Sequence, residues 1–586
     1  MYDVVYFSLA TLLSLFSTQL YHGLYTQTTS LSDSFGCDNL FLDATLAYSE
    51  QLLRIGIGRS SSGITDVLPV RFVKGLLMHV QQALAPPMDS IVFRLYHSSR
   101  SHAITKPSAL PLSLWSSLGV ILSSPIHLLA FLGRLLPRAV VGSDARPIEV
   151  AGHNNVNVEP ITMSSYPLAD RCAATLCLLI VSRCPSNAFN AFRESFSLLH
   201  DEKVADFITM QHSVIGGHID YEAIAAAVPA LTLETLPLFT YILLQKHPSY
   251  LEAILNTNSP SLKTIFQTLL RSLYRVHELT SVDIVYVLLI DILLLVQDSR
   301  VRTWMSSDTD PLHWKWYKER SLKSATYTDI TVLCVLRTIM HALFYWKDSY
   351  VLSNCFAIFV DMVSSVRNLH VYACERLLEV LAKVNRALRL PRSQESVLEA
   401  LRDTREMLIS ITAVMVSGDG GLRNVNLLYT MIHDRDAIID TLTCHSQSTH
   451  NGHIRPLNSS SNPSVYLLGI IDEYLPLLEL AIVRNRVVDA NNAVAALVKI
   501  LQGHPCPSIS VELPSGFTYE EGENSDSFFV PCCWMAATKR ATDLPLQSAN
   551  ISLFEPALIG RTDAAKGDRE SSQPLDRDSA DAYNAV

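Results

Sequence analysis

From about residue 168 onward, apolar positions recur with a helical period in one run after another, each about 16–20 residues long. In 261–279, SLKTIFQTLLRSLYRVHEL, the residues Ile265, Leu269, Leu273 and Val276 fall at i, i+4, i+8 and i+11. They line one face of a helix, with Lys263, Arg271 and Arg275 off it. The stretch 329–346, DITVLCVLRTIMHALFYW, is a further helical run, apolar almost all round. Two more helices are predicted at 349–366 and 369–388, with only Arg367 and Asn368 between them. The run 284–296, IVYVLLIDILLLV, is interrupted by Asp291 and too short to span a bilayer, so it reads as a core helix. Breakers such as NTNSPS at 256–261 and LPRS at 390–393 separate the runs. SISVEL at 508–513 is the best strand candidate.

Helices of this length joined by turns of a few residues pack antiparallel to their neighbours, and roughly 40 residues per pair is the period of HEAT and armadillo stacks. The expected fold is therefore all-α, an irregular armadillo/HEAT-like helical-repeat solenoid without a strict consensus. Its parts are an N-terminal helical region at 1–141 with a hydrophobic segment at 107–133, then a loop at 142–165 rich in Asn, Gly and Pro. A main helical-repeat body follows at 166–545, carrying a polar, low-complexity loop at 446–463. The tail at 546–586 is charged with few large apolar residues, and disorder is expected there.

With 586 residues, 48% hydrophobic and 17% charged, the chain can bury a large core. The net charge of −10 and the lack of a Lys/Arg block argue against nucleic acid as a partner. Eleven cysteines, an odd number without framework spacing, suit the reduced thiols of a cytosolic protein. The opening MYDVVYFSLATLLSLFSTQL has no basic n-region and an acid at Asp3, which makes a poor signal peptide. Segment 107–133 has no Lys, Arg, Asp or Glu and is long enough to span, yet Pro107, Pro111, Pro125, six serines and His127 would leave polar groups unpaired in lipid. It reads as a buried or membrane-surface element. Pro125 is expected to split 112–131 into two short helices. These either close one end of the stack or lie in a bilayer interface, with Trp115 at headgroup depth and Leu118 and Phe131 as further membrane contacts.

No phosphate loop, nucleophile elbow or zincin motif is present. SGDGG at 417–421 lacks the Lys-Ser/Thr ending and reads as a helix stop followed by a turn. His370 and Cys374 stand at i, i+4, with Cys355 one helix earlier, but without a Cys-x-x-Cys pair buried packing is favoured over a metal. Cys444, His445, His450 and His453 sit in the polar loop and are not read as ligands; Cys532 and Cys533 beside Trp534 read as packing. Glu520, Glu521 and Glu523 read as a solvated turn. No acid/base or nucleophile constellation can be assembled, so neither an enzyme, a metal nor a cofactor is expected.

Several stretches are similar to the dymeclin family. WYKERSL at 316–322, LRTIM at 336–340 and DSYVLSNCFAIFVDMVSSVRNLHVYACERLLEVL at 348–381 carry the resemblance, and within them Asn354, Cys355, Arg367, Leu369, His370, Tyr372, Ala373 and Arg376 fit the family pattern. NLLYTMIHDRD at 426–436 and FTYEEGENSDSFFVPCCW at 517–534, ending on Trp534, extend it, as do PLADRCAATLCLLI at 167–180 and YILLQKHPSYLEAIL at 241–255. The resemblance covers about 167–534, and 1–133 more loosely. It implies a non-enzymatic, mostly helical protein that cycles between cytosol and the cytosolic face of the Golgi membrane. Such a protein supports Golgi organisation and vesicle traffic through partners in that machinery. Asn354, Cys355, His370, Tyr372 and Arg376 are read as packing and turn-tying residues. Family members begin Met-Gly, a myristoylation signal, whereas Tyr2 follows Met1 here. The expectation is a chain that starts inside the family's helical body and, as written, carries no myristoyl anchor. The rival reading is an integral membrane protein held by 107–133.

Overall fold

The computed structural model describes residues 1–16, 42, 44–51, 68–94, 165–182, 189–201, 218–255, 260–275, 282–307, 316–320, 322, 324–390, 395–443, 462–485, 489–511, 513, 519–522 and 525–541. The chain opens with α1 (Tyr2–Phe16) and α2 (Leu68–Gln82). Next come α3 (Pro167–Val181), begun by a proline whose missing N–H costs nothing there, and α4 (Ala191–Ser197), where the Asn190 side chain accepts from the Phe192 and Arg193 amides. The parallel pair β1 (His200–Asp201) and β2 (His218–Ile219) is all the sheet among the described residues. Asp220 caps α5 (Tyr221–Ala227), followed by α6 (Thr235–Gln245), α7 (Pro248–Leu255), α8 (Pro260–Tyr274), α9 (Val282–Val296) and α10 (Ser299–Ser307). Helix α11 (Tyr327–His341) starts with a Thr326–Asp329 capping box and runs on through a π turn, Ala342–Trp346. Asp348 caps α12 (Ser349–Val363) and His370 caps α13 (Val371–Arg389). Then come α14 (Glu395–Val416), α15 (Gly420–Arg423), α16 (Val425–His433), α17 (Arg435–Thr443), α18 (Pro463–Asn485), α19 (Ala490–Gly503) and α20 (Ser525–Ala541).

The helices pack in two rows. In one, α3, α6, α9, α12, α14 and α18 each touch the next; in the other, α2, α5, α8, α11, α13, α16 and α19 do the same. Contacts α2–α3, α8–α9, α11–α12, α13–α14 and α18–α19 join the rows. Burial follows the sequence pattern: Ile265, Leu269 and Leu273 of the predicted stripe in α8 are fully buried. Each fully buried Leu or Ile contributes about 1.5–3 kcal/mol. Helix α3 is buried on every side. Tyr327–Trp346 is the one described helix long and apolar enough to cross a membrane, and most of it lies inside the fold. The described cysteines are free and buried.

Three local expectations are corrected. Helices α12 and α13 are separated by residues 364–370 rather than by two, because Asn368 takes a left-handed backbone (φ 52°) and its N–H donates to the Arg423 carbonyl at 2.7 Å. SISVEL forms no strand at its described residues. Its start is held against the end of α14 by Gly418 N–H donating to Pro507 O (3.2 Å) and Ile509 N–H donating to Ser417 Oγ (3.0 Å). Glu521 is half-buried rather than solvated, paired with Lys246. The SGDGG reading agrees with the structure: α14 stops at Val416 and Gly418 supplies the left-handed turn (φ 55°). Segment 107–133 with Trp115, Leu118 and Phe131, the tail at 546–586, and nearly all of the loops at 142–165 and 446–463 lie outside the described residues.

Candidate functional site

The segments that carry the family resemblance meet on the second row. Asp329, in the first turn of α11, closes its capping box by accepting from Thr326 N–H (2.7 Å) and Thr326 Oγ (2.8 Å). Its other oxygen accepts from His370 N–H at 2.7 Å, which ties the start of α13 to the start of α11. Burial pushes this carboxyl above its ordinary value, and the three hydrogen bonds offset part of that. His370 then caps α13, its Nδ1 accepting from Tyr372 N–H at 3.1 Å.

This docking sets Tyr372 and Arg376, one turn apart on α13, beside Arg337 of α11, and residues 316–320 lie across them. Glu319 is the meeting point. Its Oε1 accepts from Arg337 Nη1 at 2.5 Å, and its Oε2 accepts from Tyr317 OH (3.1 Å) and Tyr372 OH (3.2 Å) and pairs with Arg376 Nη2 at 3.5 Å. Arg376 also pairs with Glu379 at 2.5 Å, which Lys383 braces at 2.8 Å. Aromatic faces complete the node: the Arg337 guanidinium lies 4.8 Å over Tyr274 of α8, and Arg320 lies 5.1 Å over Tyr372 while pairing with Glu375 at 3.1 Å. Burial opposes the charge of Arg376, but Glu379 and Glu319 outweigh it and hold the guanidinium above its ordinary value. Burial, and then the Glu319 charge, pushes the Tyr317 phenol up.

Two arginines and two phenols converge on Glu319, and with Arg337 over Tyr274 the result is a clasp across α8, α11 and α13. None of these groups pairs a nucleophile with a base. Among the described residues no group of three or more His, Cys, Asp or Glu converges as a metal site. The shallow recess lined by Arg302, Ser306, Thr328 and Ser365 is open to solvent and encloses no room for a ligand. Small-molecule sites begin near ~300 Å³.

Of the residues singled out in the sequence, the structure brings together His370, Tyr372 and Arg376. Cys355 is buried in the core with its thiol pushed up by burial. Asn354 bonds only within its own helix, its amide donating to Tyr350 O at 2.8 Å, so it does not tie the turn; Arg367 is exposed in the connector. Trp534 stands apart, half-buried on α20 against the core. Sequence reasoning missed Glu319, Arg337 and Asp329 as partners of these residues. The first two sit inside the quoted WYKERSL and LRTIM segments, so the signal for their importance was present and the signal for their pairing was not.

The fold and the clasp define a mostly helical protein in which a polar cluster among the described residues ties helices together. Residues 8–536 match the family described as Dymeclin: Dyggve-Melchior-Clausen syndrome protein, and the chain belongs to the dymeclin family, which is not a known enzyme family. It is similar to Dymeclin of Mus musculus, 25% identical over 342 residues covering 55% of this chain and 48% of the mouse protein. It is similar to Dymeclin of Xenopus laevis at 24% over 425 residues (67% and 59%) and to that of Drosophila melanogaster at 26% over 226 residues (38% and 30%). The chain thus spans less than two thirds of the length of these curated relatives. No solved structure matches it.

Proposed function

We propose that this protein is a non-enzymatic scaffold of the dymeclin kind, an irregular armadillo/HEAT-like solenoid. In this reading it associates peripherally with the cytosolic face of Golgi membranes and supports Golgi organisation and vesicle traffic by binding other proteins of that machinery. The observation that carries the reading is the Glu319 clasp: among the described residues this polar cluster joins α8, α11 and α13 to one another, as a helical scaffold needs, and pairs no nucleophile with a base. Family membership supports the Golgi assignment by resemblance. The burial of Tyr327–Trp346 inside the fold supports peripheral attachment, since that helix is committed to the core.

Carbonate extraction of membranes from cells expressing the protein tests this. A scaffold on the membrane surface washes off into the supernatant. Retention in the pellet would favour an integral protein anchored through 107–133.

A further inference from the structure

Helix α18 ends the first row. Among the described residues it packs on α14, α16, α17 and α19, while α20 turns back to α3 and α6 at the other end. Its inward face is core, with Leu467, Ile470, Ile471, Tyr474 and Leu478 buried. The outward face is apolar as well. Val465, Gly469, Pro476, Leu480 and Val483 stand at i, i+4, i+11, i+15 and i+18, a strip along the side away from the core, and all are exposed. Leu480 is 66% and Val483 77% exposed. The last helix of a stack stays soluble by presenting a polar outer face, and an apolar strip in its place marks an interaction surface.

Carboxylates frame the strip. Asp472 and Glu479 lie along one edge and Glu473 along the other, all exposed. Asp436 of α17 adds a fourth: Arg435 stands 3.5 Å from it and 3.7 Å from Glu479. On α18 itself the cation is Arg484, in the last turn beyond these acids. Pro476 has no N–H to donate, so the Asp472 carbonyl on this side keeps an open acceptor. A Cβ on Gly469 would meet nothing within 4 Å beyond its own helix backbone, which leaves room for a second backbone to come close. These features select the occupant. A second copy of this face would set carboxylate against carboxylate, and an anionic bilayer would be repelled. A helix with an apolar side and flanking Lys or Arg satisfies both the strip and its rim.

We propose that the outward face of α18 is a docking site for a basic amphipathic helix of a partner protein. The apolar side of that helix packs on Val465, Leu480 and Val483, and its cations pair with Asp472, Glu473 and Glu479. This rests on the scaffold reading and gives one of the scaffold's partners a chemistry.

Fluorescence anisotropy of the purified full chain with two labelled synthetic helices of about 18 residues tests the face. One helix carries leucines on one side and lysines on its flanks; the other has glutamates in place of the lysines. The native chain binds the lysine helix in preference to the glutamate helix, and binding weakens as salt screens the rim. Leu480→Asp with Val483→Asp weakens binding by about tenfold or more at an unchanged melting temperature. Asp472→Lys, Glu473→Lys and Glu479→Lys together exchange the preference toward the glutamate helix. That variant is still net negative, so general attraction to an acidic protein would keep favouring the lysine helix. Equal binding of both helices by the native chain overturns the proposal, as does undiminished binding by the Leu480→Asp, Val483→Asp variant. A native dimer in sedimentation that this variant dissolves assigns the face to a second copy. A collapsed melting temperature in the same variant assigns it to a covering segment of the chain itself, and either result also overturns the proposal. Carbonate extraction is a separate matter: a face that binds no helix leaves that result standing, and a chain retained in the pellet leaves the docking face intact.

Discussion

Glu319 shows how a partly exposed carboxylate gains weight by having several partners. Its side chain is 22% exposed and that of Arg337 25%, so an isolated pair here would contribute roughly 0.2–1 kcal/mol at most. Two arginines and two phenols converge on it, and removing it strips all four at once. Glu319→Ala is expected to lower stability by about 1–3 kcal/mol. A double-mutant cycle with Arg337→Ala should show a coupling of roughly 0.5–3 kcal/mol in denaturant unfolding. Strictly additive losses would mean that the clasp contributes nothing as a unit. Such pairings were not legible in the sequence, because residue type announces charge but not partner. Glu521 makes the point most sharply: in an acid-rich, aperiodic stretch it reads as solvated, and its partner Lys246 is 275 positions away.

Among the elements, helices were legible wherever the apolar period was strong, as in α8, and boundaries were not. Val366 and Leu369 continue the apolar spacing beyond α12 and are buried, so sequence alone extends the helices over them. They are core residues of a connector, and only the left-handed Asn368 between them betrays the break. SISVEL has strand composition, but its recorded partners are the end of α14 and the following turn rather than another strand. That turn is tightly built. A Cβ on Gly421 would stand 2.4 Å from Cys506 Sγ and 3.2 Å from Val416 O. Gly421→Ala should therefore destabilise the protein by about 1–3 kcal/mol through overpacking. Adding Cys506→Ala should recover part of the loss, because the nearest clashing atom is gone. Thermal melts of the single and double variants check this, and a double variant no better than the single would shift the cause to the backbone contact with Val416.

For the whole molecule, each helix in the two rows buries its apolar face against its neighbours, so the core runs on from helix to helix. That continuity is why the periodicity predicted a helical protein correctly while chain length said nothing useful about domains. The proposed membrane contact draws on a different part of the chain. The uncharged apolar segment 107–133 lies outside the described residues. Its sequence fits either end-capping of the stack or an interfacial pair of short helices around Pro125, with Trp115 and Leu118 on the apolar side in both cases. Replacing Trp115 and Leu118 by Asp separates the two. An interfacial segment loses its apolar surface without touching the fold, so the double variant keeps its helical circular dichroism and melting temperature but moves from Golgi membranes to the cytosol. An end-cap instead brings charge into packed surface, and the melting temperature collapses. A variant that stays both folded and Golgi-bound defeats both readings of the segment and leaves recruitment to partner proteins.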